Sequence, residues 1–205
     1  MKNKKNKNSA PPEPIEIFVS FPWTKRGEVT VGVREDERWV FLRDRITRVI
    51  EECKRRVDQM PGKYKLHIRL NRLRGRQGMN LLSTLRERIS RADVLVIDIG
   101  ETNPNVMIEV GIGVALCKSE SGALFILKPK SVDWPSNLQG LIYCNYDQSL
   151  QKGLEDQAGF RGALRTQILK VARQRNMLGS PKHGLVEVEG EEPERKRRAA
   201  ESKRS

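Results

Sequence analysis

The chain reads as an α/β protein, a flavodoxin-like (Rossmann-like) parallel sheet of about five strands with helices on both faces. Three observations predict this class. Strand-length apolar runs alternate with stretches of helical periodicity along the sequence, as parallel strands joined by helical crossovers require. One run, Val94 to Ile97, is apolar and mostly β-branched without a polar alternation, the signature of a strand buried on both faces. Close behind it, Asn103-Pro104 is a helix-start signal, with Asn as the cap and Pro at the first position, where a missing N–H costs nothing. Among doubly wound orders 2-1-3-4-5 is the expected one, and it opens a crevice between the first and third strands.

Each element has its own warrant. Ile15 to Phe21 (IEIFVSF) is an apolar run of strand length ended by Pro22, and reads as a first, central strand. The segment from Trp23 to Glu35 has glycines and no helical period, so it is expected as a loop over the crevice, a candidate lid. From Asp36 to Asp58, Trp39, Leu42, Ile46, Val49, Ile50, Cys53 and Val57 recur at steps of three and four, which makes this the clearest amphipathic helix. Met60-Pro61-Gly62 stops it. Tyr64 to Leu70 alternates apolar and polar residues as a half-buried edge strand should. A basic, glycine-interrupted loop, Arg72 to Gly78, then leads to a short helix from Asn80 to Arg91. After the Val94 strand and the helix begun at Asn103, Ala123 to Leu127 and Gly140 to Cys144 read as two more strands, and Gln151 to Arg175 as a last helix. The expected organisation is one domain over residues 15–178, a disordered basic arm over 1–14 and a disordered charged tail over 179–205.

Composition narrows the function classes. The formal charge of +13 is unevenly placed: Arg34 to Arg91 carries 17 basic and 8 acidic residues, whereas 92–150 carries 3 basic and 7 acidic. A basic half beside a mildly acidic one suits nucleotides, nucleic acid or an acidic partner, which respond to the same field. No aromatic platform or groove-reading motif accompanies the arginines, so nucleic acid is expected to bind weakly and without sequence preference at most. Two histidines and no Cys-x-x-Cys spacing argue against a metal site, and the three cysteines Cys53, Cys117 and Cys144 suit a reducing compartment. No apolar run approaches the roughly 20 residues of a membrane span, and the lysine-rich start lacks the apolar core of a secretory signal. A cytoplasmic protein without membrane association is expected.

The polar residues that a site would need gather just past the carboxyl ends of the first and third strands. Ser20 and Phe21 end the first; Asp98 ends the third, followed by Asn103 and Asn105 and, further along the helix, Glu109. At helical spacing Val106, Val110 and Val114 share the face expected on the sheet, while Asn105, Glu109 and Gly113 share a neighbouring face directed at the crevice. A carboxylate there can act as a nucleophile or stabilise a developing positive charge; the bland alternative is a helix-dipole carboxylate with no further role. Asn103 and Asn105 can hold ligand hydroxyls, and Asp98 can orient one of them or support Glu109. In the basic loop Arg74, Arg76 and Gly78 offer a phosphate site, against the alternative of a solvated turn.

The combination of FVSFP, a basic Arg-x-x-x-Gly loop, ISRADVLVIDI and NPNVMIEVGIGVAL resembles the nucleoside 2-deoxyribosyltransferase-like group and its relatives among bacterial Toll/interleukin-receptor (TIR) domains. The resemblance covers Ile15 to Tyr146 and is most specific over Ala92 to Leu116. It implies that Glu109 is the catalytic carboxylate of an N-glycosidase acting on NAD, a nucleoside or a nucleotide, with no metal and no separate cofactor. It also implies service in antiphage defence, and a homo-oligomer or partner protein through which such domains become active. Where the transferases carry a tyrosine and an upstream aspartate, this chain has Ile108 or Phe21 and Asn103, so the TIR-like relatives are the nearer resemblance. The alternative is a nucleotide- or nucleic-acid-binding or signalling module that keeps the fold without the chemistry.

Overall fold

A computed structural model describes residues 13–22, 35–61, 64–72, 81–100, 103–116, 118–130, 133, 141, 143–146 and 158–178. Its elements are β1 (Ile15–Ser20), α1 (Glu35–Asp58), β2 (Ile68–Arg72), α2 (Leu81–Arg91), β3 (Val94–Asp98), α3 (Pro104–Ala115), β4 (Leu124–Pro129), β5 (Tyr143–Tyr146) and α4 (Ala158–Gln174). The five strands form one parallel sheet in the order β2-β1-β3-β4-β5, the flavodoxin-like order.

The two faces of the sheet follow from strand alternation. Ile15, Ile17 and Val19 of β1, Val94 and Val96 of β3, and Phe125 and Leu127 of β4 share one core with Leu42, Ile46, Val49 and Cys53 of α1 and Phe160, Leu164 and Ile168 of α4. Leu95 and Ile97, with Leu124 and Ile126, point the other way onto Leu85 and Ile89 of α2 and Val106 and Val110 of α3. All five residues of β3 are buried, which is why that strand shows no polar alternation. Gly113 lets α3 close on the sheet: a Cβ there would stand 2.9 Å from Leu95 Cδ2. Below the sheet Arg175 gathers three elements, reaching Asp93 Oδ1 at 2.6 Å and the Pro14 carbonyl at 2.5 Å, while Asp93 Oδ2 accepts from the Glu16 amide at 2.8 Å.

Several boundaries differ from those the sequence predicts. The edge strand runs from Ile68 to Arg72, not from Tyr64 to Leu70: its register with β1 begins at Ile15 opposite Ile68, after the Ile15 amide donates to the His67 carbonyl at 2.7 Å. Its polar end is held by Glu16, whose carboxylate accepts from Asn71 at 2.6 Å and Arg69 at 3.3 Å. The last strand lies at Tyr143–Tyr146, later than Gly140–Cys144, because its register follows β4 as far as Pro129 opposite Tyr146. α4 is described from Ala158; residues 151–157, the expected start of that helix, lie outside the described residues, as do 1–12 of the arm, 23–34 of the candidate lid, Cys117 and the tail over 179–205, whereas Glu13 and Pro14, expected in the arm, are held by Arg175 through their carbonyls. On α3 the buried residues are Val106, Glu109, Val110 and Gly113, so Gly113 belongs to the sheet face and Val114 only flanks it. The inward direction of the helix thus falls one step from the valine stripe. Among the described residues, no helix is long and apolar enough to cross a membrane.

Candidate functional site

The site is assembled where β1 and β3 end. Their parallel register sets Ser20 beside Ile97, so the Ser20 hydroxyl emerges next to the turn that carries the chain from β3 into α3. That turn passes through Gly100 in the left-handed region at φ 43°, and Asn103 then caps α3, its side-chain oxygen accepting from the Asn105 amide at 2.9 Å. With Pro104 at the first position, Glu109 falls in the second turn and points toward the end of β1. There the Ser20 hydroxyl donates to Glu109 Oε2.

Glu109 is 8 % exposed, and Ser20 2 %. Burial pushes the Glu109 carboxyl up to about 8, because the charged form gives up water that the fold does not fully replace. A carboxyl that titrates near neutrality at the switch point of a doubly wound sheet is in the place and in the range that acid–base or cation-stabilising chemistry uses.

Beneath this pair lies a second, fully buried group. Asp98 Oδ1 accepts from the Tyr146 hydroxyl at 2.7 Å and from the Gly100 amide at 2.9 Å, and Oδ2 stands 3.3 Å from Arg38. That Arg38–Asp98 contact is an ion pair without hydrogen-bond alignment, since neither atom finds a hydrogen-bond partner. Burial pushes the Asp98 carboxyl up from the ordinary carboxylate range, against the pull of Arg38, Tyr146 and the Gly100 amide. The Tyr146 hydroxyl is pushed up as well, by burial and then by the neighbouring Asp98. Arg38 lies so close over Gly100 that a Cβ there would stand 2.1 Å from its Nη1.

Of the expected site residues, then, Ser20 and Glu109 meet directly. Asp98 is 0 % exposed and engaged by protein groups, so it holds the β3 turn in place behind the crevice and does not line it. Phe21 is also buried, stacked on Trp39 with ring centroids 6.1 Å apart and with the Arg72 guanidinium 4.4 Å from its ring centroid. Asn103 serves as the helix cap, and Asn105 is exposed beside it. Arg74, Arg76 and Gly78 lie outside the described residues. Arg38 and Tyr146 are site-supporting residues that the sequence reading missed. For Arg38 a signal exists, because it stands on the buried stripe of α1, one turn before Leu42 and two before Ile46, where a charge needs a partner. Tyr146 carries no comparable mark.

No family model matches the chain. No curated protein matches it either. Among solved structures, the lysine decarboxylase LdcF of Francisella novicida superposes with a TM-score of 0.38 at 12 % identity, over 76 % of this chain. The chain spans 18 % of that protein's length, and so distant a likeness carries no argument about the site. Among the described residues no three His, Cys, Asp or Glu side chains cluster as a metal site would need. The thiols of Cys53 and Cys144 are pushed up to about 11 by burial, as core residues would be.

Proposed function

We propose that the chain is an N-glycosyl-bond-cleaving enzyme of the TIR-like or deoxyribosyltransferase-like kind, acting on NAD or a related nucleoside or nucleotide, with antiphage defence as its setting. The observation that carries this reading is Glu109 itself: a buried carboxyl brought up to about 8, in contact with the Ser20 hydroxyl at the ends of β1 and β3. When a ribosyl C–N bond breaks, the bonding pair leaves with the base and positive charge develops on the anomeric carbon and ring oxygen. A carboxylate beside that carbon gains from the charge more strongly in a water-poor site than in bulk solvent. It either stabilises the cation until water adds or forms a glycosyl ester that water then opens; in both cases the hydroxyl added to the sugar comes from water. Ser20 fits the part of a positioning residue, since its O–H holds the carboxylate oxygen that faces it.

The test is release of free base when the purified full chain is incubated with NAD, nucleosides and nucleotides. Wild type is expected to release base from at least one of them, and Glu109→Gln to do so roughly a thousandfold more slowly. Absence of release by wild type with every substrate, at concentrations that permit self-association and with candidate partners, would reject the enzyme. A stable and fully active Glu109→Gln would reject the role of the residue.

A further inference from the structure

A helix lying on a sheet buries one apolar stripe and turns charged residues to water. α2 and α4 do so, exposing Arg86, Glu87 and Arg91 in the first and Arg161, Lys170 and Arg173 in the second. α3 does not. It buries Val106, Glu109, Val110 and Gly113, yet its outer side carries a second stripe without a charge: Pro104, Met107, Ile108, Gly111, Ile112 and Ala115 recur at steps of three and four. Pro104, Ile108, Gly111 and Ala115 are exposed, Ile108 to 45 %, and Met107 and Ile112 are half-buried. The ionisable side chain of the helix, Glu109, is on the inner side. We propose that the outer stripe of α3 is the contact surface for a second copy of this chain, α3 packing on the partner's α3 about a twofold axis.

Single exposed apolar residues are ordinary on protein surfaces, whereas an uncharged run along a whole helix has the composition of a covered face. Charge indicates what covers it. The chain carries a formal +13, so two copies meeting over most of their surfaces bring like charges together, and a twofold contact sets each patch against itself. The outer stripe of α3 is where two such copies can pack without that repulsion. An acidic partner would gain from the basic faces of the molecule and nothing from this one. Shape points to a helix as the occupant: Gly111 stands in the middle of the stripe, and a Cβ built on it meets nothing within 4 Å, so the α3 backbone is open to close approach. Size sets the strength. The 12 residues of α3 make a helix about 18 Å long, which offers less than the roughly 800 Å² per partner of a standard interface, so the dimer is a weak one that forms as concentration rises. The contact lies on the helix that carries Glu109, but it holds whatever the Ser20–Glu109 pair does.

The experiment is sedimentation velocity on the full chain from about 5 to 500 µM, in about 150 mM and about 500 mM NaCl. Wild type is expected to pass from monomer to dimer with Kd below about 200 µM, and to hold or tighten at the higher salt, where repulsion between the copies is screened. Ile108→Glu and Ala115→Glu each bring a carboxylate from both copies into the contact, and each should weaken it about tenfold or more. Val40→Glu places the same charge at a residue 42 % exposed on α1, across the sheet from α3, and should change Kd less than about twofold. The two α3 substitutions lie toward opposite ends of the stripe, so one reads the contact if the other disturbs the fold, and Glu109 is left in place. A wild type that stays monomeric over the whole range would overturn the proposal. So would a dimer lost at the higher salt, an equal loss in Val40→Glu, or a dimer that survives both α3 substitutions, which would give the contact to another surface.

Discussion

Ser20 and Glu109 stand 89 positions apart in the chain, and the hydroxyl of the first donates to the carboxyl of the second inside a crevice that water scarcely reaches. The contact exists because β1 and β3 are parallel neighbours and α3 turns back over their ends. A strand inserted between them, or a helix started one residue later, would separate the two groups. The pairing thus ties the chemistry proposed for Glu109 to the topology of the sheet.

The pH dependence of the reaction should reveal which form of Glu109 acts. With a carboxyl at about 8, most of the free protein carries it protonated at pH 7. The nicotinamide of NAD leaves as a neutral base and needs no proton, so the ionised carboxylate is the useful form and kcat/KM for NAD is expected to rise with pH and level off above about 8. A neutral nucleoside, whose base leaves more readily when protonated, should show the opposite slope if Glu109 supplies the proton. A flat profile between about pH 6 and pH 9 for every substrate cleaved would exclude Glu109 from both parts.

Ser20→Ala removes the donor to the carboxylate, and hydrogen bonding to a charged form favours that form. The inflection in the NAD profile should therefore move to higher pH in Ser20→Ala, by about half a unit to one unit, with the plateau rate less affected than the rate at pH 7. An inflection that stays where it is while the plateau drops would show that Ser20 acts on substrate and not through Glu109.

Stability carries a separate signature of the same burial. Below the ordinary value of 4.5, Glu109 is neutral in both the folded and the unfolded chain, and its burial is unpenalised. As the pH rises from 4.5 to about 8, the unfolded chain ionises while the folded one does not, so this stability is lost progressively and levels off above about 8. Glu109→Gln has no such dependence. Denaturant unfolding of the two proteins should show wild type losing up to about 3 to 5 kcal/mol relative to Glu109→Gln between about pH 4 and pH 9. A constant difference across that range would mean that Glu109 is solvated in the folded protein.

The pair beneath the site should behave as a unit. Arg38→Met leaves Asp98 without its cation in a fully buried place, and is expected to destabilise the fold by about 3 to 5 kcal/mol; adding Asp98→Asn should recover part of that, because the second change removes the stranded charge. Additive losses in the double variant, measured by chemical denaturation, would show that the two side chains are not coupled.

The sequence by itself determined the sheet and its neighbours. Apolar runs of strand length, the helical stripe of α1 and the Asn103-Pro104 start are local signals, set by which residues must leave water and by backbone geometry within a few positions, and the strand order followed because few crossover arrangements satisfy them. Glu109 and Ser20 were legible as separate residues at the right ends of their elements. Their hydrogen bond was not, since it depends on how α3 is rotated, and that rotation was decided by Gly113, whose missing side chain lets the helix settle on Leu95 and turns Glu109 inward. Nor did local pattern reveal that Asp98 would be taken up by Arg38 and Tyr146, which lie 60 positions before it and 48 after it. A buried charge recruits its partners from whatever elements the fold brings beside it, and only the tertiary structure decides which those are.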